Sequence, residues 1–201
     1  MKKEEDSMHI LSILLFAISS NLDNLTVGIG YGMEKIEVNP LSNLIISLIS
    51  AIGTFISMYL GTIVLKFLNK EITNLIGSGI LIAIGLFFCY QFFKSKDVKN
   101  DDDLIKNPKK ADKDNSKHIE PREAVSLGFA LTINNFGVGF GASIAGLSFI
   151  LTSIVTFFIS IIFLEGGYLL GNDVFAKIFG KYSDLISGLI IIFIGIYEIF
   201  F

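Results

Sequence analysis

Long apolar runs alternate along this chain with short charged stretches. Six of the runs approach the roughly 20 residues that a helix needs to cross a bilayer: residues 8–32, 41–65, 72–93, 124–145, 147–171 and 183–201. Two of them carry the same polar interruption. The first run holds Asp23-Asn24 and then Val27-Gly28-x-Gly30; 111 positions later the fourth holds Asn134-Asn135 and then Val138-Gly139-x-Gly141. Leu60-Gly61 likewise returns as Leu170-Gly171, and Ile84-Gly85 as Ile194-Gly195. A register kept over three helices marks an internal repeat. The expected fold is an all-α integral membrane protein of six transmembrane helices, with residues 1–93 and 123–201 as two three-helix repeats. Three is odd, so the copies enter the membrane from opposite sides, as an inverted 3+3 repeat with its two-fold axis in the membrane plane.

Composition supports the membrane reading. Apolar residues make up 52% of the 201, with 19 Phe and a mean hydropathy of +0.66. A soluble all-α bundle of that balance has too little polar surface to cover itself. Lys2 and Lys3 ahead of an apolar run, with small residues at Ala17 to Ser19, imitate a signal peptide. The run continues past Ser20, however, and its motif recurs internally, which favours a retained helix. Cys89 is the one cysteine, so neither an intrachain disulfide nor a Cys-rich metal site is available. His9 and His118 form no paired ligand motif.

Most of the charge sits between the repeats. Residues 94–122 hold nine Lys/Arg and seven Asp/Glu, with Pro108 and Pro121, and read as a disordered linker. Asp101-Asp102-Asp103 either holds a divalent ion loosely or is a solvated acidic run, the simpler reading. Basic residues also orient the chain. Lys2, Lys3, Lys66 and Lys70 lie on one side; Lys35, the nine of the linker, Lys177 and Lys181 lie on the other. The expectation is a multi-pass protein of the cell membrane, with residues 94–122 cytoplasmic and both termini outside.

The candidate chemistry is acidic and amidic. Asp23 lies three positions past the midpoint of its run, roughly 4–5 Å from the bilayer centre at about 1.5 Å per residue. A carboxylate there costs about 2.5–3.5 kcal/mol on insertion scales, which calls for a compensating role. Ser19, Ser20, Asn24 and Thr26 give it polar company, and Asn134 and Asn135 repeat the pair with Thr132 nearby. The amides either bind an ion or hold helices together by hydrogen bonds. Glu165, in Phe163-Leu-Glu-Gly-Gly167, is the second acid, roughly 9 Å from the middle of its run; it either joins the site or pairs with a boundary lysine such as Lys177. Glu198 and Asp173 read as interfacial. Two carboxylates with amide oxygens suit a hard cation such as Mn²⁺, Mg²⁺ or Ca²⁺. The alternating glycines 28, 30 and 32, and 137, 139 and 141, either allow close packing or let the helix open. Gly53, Ser57 and Gly61 form a small-residue ridge at four-residue spacing. No nucleophile–base constellation appears, so an enzyme is not expected.

Leu22-Asp23 with Val27-Gly28, then Tyr31-Gly32, Lys35-Ile36 and Pro40, resembles the manganese efflux pump (MntP) family, and within it the sporulation membrane protein YtaF subgroup. Ser126-Leu-Gly-Phe-Ala130, followed by Asn134-Asn135-Phe136-Gly-Val-Gly139, extends the likeness across the second half. The resemblance implies a metal site built from helix-one and helix-four Asp residues, with acids from helices two and five. Here the helix-four position is Asn134, and helix two has no acid between Leu41 and Leu65. The implied function is efflux of a divalent cation, manganese first, through a midplane site of Asp23, Asn24, Asn134, Asn135 and Glu165. The alternative is a non-transporting membrane protein of the spore-forming cell with an assembly or signalling role. The implied partners are the lipid bilayer and the transported metal ion, with no permanently bound cofactor and no nucleic acid.

Overall fold

A computed structural model describes residues 2–67, 70–94, 110–171 and 174–200. The first run is two helices, α1 (Lys2–Ser20) and α2 (Leu22–Glu34), interrupted at Asn21. After a two-residue strand, β1 (Glu37–Val38), come α3 (Pro40–Leu65) and α4 (Lys70–Lys94). The second half follows as β2 (His118–Ile119), α5 (Pro121–Ile144), α6 (Phe149–Leu170) and α7 (Val174–Phe200). Local chemistry sets the boundaries. The Asn39 side chain accepts the Leu41 amide and Pro40 takes the first helical position of α3, where a missing N–H costs nothing. Glu120 and Glu123 close a reciprocal capping box around Pro121 at the start of α5. Lys35 ends α2 in the left-handed region, its amide turned back to Gly32 and Tyr31.

The protein is an all-α multi-pass membrane bundle. Five segments are long and apolar enough to cross a bilayer, and α5, bent by 48° between Ile133 and Asn135, makes a sixth if taken as one span. Packing joins one half to the other: α5 lies on α3, α6 on α1 and α2, α4 on α7, and α3 on α6. Exchanging the halves maps this list onto itself, as an internal repeat requires. The outer surface is aliphatic and aromatic, with Leu48, Ile52, Phe55, Ile154, Phe158 and Ile162 exposed. The inner faces are the more polar ones. Ser42, Asn43, Ser47, Ser50, Thr54 and Ser57 of α3 are buried, as are Thr152, Ser153, Thr156 and Ser160 of α6. Small hydroxyl residues let helices approach closely and bond across the gap, which is how helices associate where lipid is as apolar as leucine.

Two sequence expectations need correction. The first span is not one continuous helix, because Asn21 leaves helical geometry at φ −111°, ψ 6°. Nor is the whole charged linker without structure. Residues 95–109, including Asp101 to Asp103, lie outside the described residues, but 110–122 are folded against the bundle. There β2 pairs in parallel with β1, Glu37 opposite His118 and Val38 opposite Ile119. Ser42 Oγ donates to the Ile119 carbonyl at 2.6 Å, and Ala111, Ile119 and Ala124 join a buried cluster with Tyr31, Ile36 and Ile46. Charge-rich composition hid a few well-placed apolar anchors.

Candidate functional site

The site is built around the interruption of the first span at Asn21 and the bend of α5. A helix that stops inside a membrane leaves its last carbonyls without amide partners. At the end of α1, Asn21 turns back, its amide donating to Ile18 O at 3.2 Å and its side chain to Ala17 O at 2.7 Å. The Ser20 carbonyl takes the side-chain amide of Asn135 on α5, which also donates to Leu131 O at 3.3 Å. One repeat thus closes the break of the other. Beyond it, α2 begins with Leu22-Asp23-Asn24, and the free amides of a helix N-terminus stabilise a carboxylate in the first turn. Asp23 is buried there, 8% exposed, and Asn24 is 1% exposed.

Asn24 ties this turn to the second half. Its Nδ2 donates to Ser160 Oγ on α6 at 2.6 Å and to Asn21 Oδ1 at 3.0 Å. Ser20, Asn21, Ser50, Gly53, Thr132 and Asn135 line an adjoining cavity of about 10 Å³, room for one water-sized sphere, with Thr54, Phe136 and Thr156 completing its wall. The hydroxyls of Thr152 and Thr156 are buried without a hydrogen-bond partner among the described residues. In the repeat register Ser160 is the counterpart of Ser50, as Gly171 is of Gly61, so each motif asparagine has a serine of the opposite half beside it.

Close glycine contacts hold α2 in place. A Cβ on Gly28 would fall on the Leu164 carbonyl and 3.1 Å from Gly167 Cα; one on Gly32 would fall on the Tyr168 carbonyl and 2.9 Å from Gly171 Cα. Gly28 and Gly32 therefore meet Gly167 and Gly171, two small-residue pairs at four-residue spacing packed backbone to backbone. In the other half Gly139 lies against Ser57, whose hydroxyl donates to the Phe136 carbonyl. At these positions close packing is the role the glycines fill.

The predicted residues are distributed unevenly. Asp23 and Asn24 share one turn, and Asn135 reaches the break just before it. Asn134 lies at the bend of α5, its side chain outside the described residues. Glu165 is on the exposed face of α6, next to the buried Leu164 but turned away from the line of Thr156 and Ser160. Glu198, two residues from the end of α7, is buried and accepts from Ser12 Oγ at 2.6 Å; Asp173 lies outside the described residues. The inner site therefore combines one carboxylate with amides and hydroxyls, a hard-oxygen set. Sequence reasoning passed over Thr152, Thr156 and Ser160, though hydroxyls at four-residue spacing in an apolar helix were a usable signal. It also passed over Asp112, Asp114 and Glu123, whose carboxylate oxygens come within 4.8 Å of one another at the linker. Hydrogen bonds from Ser116 hold the exposed Asp114 carboxyl below the usual carboxylate range.

Comparison with known proteins agrees over the full length. A protein-family profile described as "Putative manganese efflux pump" matches residues 1–89 and 103–199. "Probable sporulation protein YtaF" of Bacillus subtilis (strain 168) is 34% identical, covering 96% of this chain and 100% of the relative. "Putative manganese efflux pump MntP" of Bacillus mycoides (strain KBAB4) is 24% identical over 95% of this chain and 96% of its own, and that of Bacillus thuringiensis (strain Al Hakam) 23% over the same shares. No solved structure matches.

Proposed function

The chain belongs to the manganese efflux pump (Mntp) family, and on that premise we propose that it exports a divalent cation, Mn²⁺ first, through a midplane site between two inverted repeats. The observation that carries the reading is the interruption at Asn21, which buries Asp23 and Asn24 where α2 meets α6 and α5 closes the break. Discontinuous helices at a repeat interface present carbonyls and side-chain oxygens to an ion at membrane depth, and rocking of one bundle against the other exposes that site alternately. Asp23 supplies the charge; Asn24, Asn134 and Asn135 supply amide oxygens, and Ser160, Thr156 and Ser50 supply hydroxyls. Glu165, on the outer face, joins only if α6 rotates during the cycle. The basic linker face is cytoplasmic in this reading, and the ion leaves toward the side of both termini.

The test is Mn²⁺ flux into vesicles holding the purified protein. Wild type should accumulate or release the ion along an imposed gradient, and Asp23→Asn should not. Equal flux in both places the pathway elsewhere. A second reading has one observation behind it: the inner site has a single carboxylate, and the 34% identical relative is described as a sporulation protein. In that case the chain serves assembly or signalling in a spore-forming cell. Absence of metal flux from well-folded protein, with Mn²⁺ binding also absent, favours it.

A further inference from the structure

The ordered end of the linker carries a second site. Asp112-Lys-Asp114-Asn-Ser116-Lys117-His118-Ile-Glu-Pro-Arg-Glu123 puts acids at positions one, three and twelve of a twelve-residue loop and a serine at five. Loops that wrap Ca²⁺ draw ligands from those positions and from the carbonyl of the seventh residue, which here is His118. They also turn sharply at the sixth residue, ordinarily glycine; here Lys117 takes the left-handed conformation at φ 62°, after Asn115 at φ 57°. Ser116 N donates to Asp112 Oδ1 and Asp114 Oδ1, each at 3.0 Å, and Lys117 N to Asp112 Oδ2 at 3.0 Å. Glu123 accepts from Lys113 N at 2.6 Å and from Glu120 N at 3.1 Å. Each carboxylate offers about four lone-pair sites, so these bonds leave capacity for a cation.

An independent observation comes from outside the loop. Tyr31, near the end of α2, is fully buried in the cluster that includes Ala111, Ile119 and Ala124, the sequence neighbours of Asp112 and Glu123 among them. Glu123 and Asp112 are the charged groups that bear on its hydroxyl, which has no hydrogen-bond partner among the described residues. A buried phenol left unsatisfied costs about 1–3 kcal/mol, and a water held by a cation between the carboxylates would satisfy it.

We propose that residues 112–123 are a Ca²⁺-binding loop, with Asp112, Asp114, Glu123, Ser116 Oγ and the His118 carbonyl as ligands and a cation-bound water joining it to Tyr31. With Glu123 bidentate at position twelve the set reaches seven oxygens, which suits the larger Ca²⁺ and not the strict octahedron of Mg²⁺. This site is separate from the transport pathway. It ties the connection between the repeats to α2, the half-helix that carries Asp23 in its first turn; Asp23 and Tyr31 lie about 12 Å apart along it at about 1.5 Å per residue.

The experiment is calorimetric titration of full-length, chelator-stripped protein in detergent with Ca²⁺, Mg²⁺ and Mn²⁺. Wild type should show a saturable Ca²⁺ site that Asp114→Asn weakens by about tenfold or more and Asp23→Asn leaves unchanged. Asp114 is exposed, and asparagine keeps an oxygen to accept from Ser116 N; Glu123→Gln, compared at equal helical content, is the second variant. Tb³⁺ gives an independent readout, because the chain has no Trp and sensitised emission must come from tyrosine. Tyr31→Phe should dim that emission by half or more while binding persists. Absence of saturable Ca²⁺ binding, equal affinity in wild type and both loop variants, or displacement of Ca²⁺ by equimolar Mg²⁺ or Mn²⁺ would each overturn the assignment. Unchanged Tb³⁺ emission in Tyr31→Phe would remove Tyr31 from it.

Discussion

Neighbouring glycines of α6 give the sharpest test of how the two halves are held together. A Cβ at Gly167 would fall on the Leu25 carbonyl, 2.9 Å from Ile29 N and 3.1 Å from Gly28 Cα; one at Gly166 would meet nothing within 4 Å. The atoms facing Gly167 are backbone, so relief requires α2 and α6 to separate by about 1 Å, a gap that already forfeits a quarter to a half of the dispersion energy across it. Overpacking of this kind costs about 1–3 kcal/mol. Alanine in place of a helical glycine returns about 1 kcal/mol, which for Gly166→Ala stands without opposition. Both variants gain that propensity term, so they should differ by the overpacking cost alone, about 1–3 kcal/mol in stability. At about 2–4 °C per kcal/mol for a chain of this size, their melting temperatures should be roughly 2–12 °C apart, Gly166→Ala being the more stable. The same separation stretches the 2.6 Å bond from Asn24 to Ser160 beyond hydrogen-bond range, so Gly167→Ala should lose Mn²⁺ flux and Gly166→Ala keep it. The assay is thermal unfolding in one detergent beside vesicle flux. A Gly167→Ala protein that melts at or above Gly166→Ala would refute the close-packed α2–α6 seam.

Asn134→Asp should bind Mn²⁺ more tightly than wild type in titrations of purified protein, because a second formal charge near Asp23 attracts a divalent cation that amide oxygens hold less well. Two carboxylates sharing one site do not both ionise readily without metal, so if the proposed site is right, binding to that variant should release a proton and strengthen as pH rises. Equal affinity in the two proteins would move the ion site away from the repeat interface. Thr156→Val should leave the melting temperature unchanged or slightly raised, since it removes a buried hydroxyl that has no partner, while lowering Mn²⁺ flux; a drop in stability would mean that the hydroxyl is structurally bonded.

The repeat was legible because polar residues in an apolar alphabet are costly and stand out: Asp23-Asn24 and Asn134-Asn135 marked the break after α1 and the bend of α5 without any structure. The nature of those interruptions was not legible. Asn21 breaks the first helix by bonding back to Ala17 O, a choice that depends on Asn135 arriving from 114 positions away to take the Ser20 carbonyl. Glu165 is the opposite case. Charge drew attention to it, but which way a helix presents a residue is decided by its packing partner, and the small residues Ser160 and Gly167 took the inner face. The twelve-residue loop was written in plain sight, with lysine where glycine is the rule and a charged surround that resembled disorder.

The cross-half packing carries a consequence for how the protein is made. While the ribosome is still adding residues 94–201, the first three helices sit in the membrane without the neighbours that cover their inner faces. At about 5–20 residues per second, that wait lasts roughly 5–20 s. Throughout it the serines and threonines of α3 face lipid, water or the insertion machinery. A nascent half that lingers is thus a substrate for membrane quality control. Conversely, the two halves expressed as separate chains should find each other in the bilayer, since nearly everything that binds them is non-covalent and already distributed between the two.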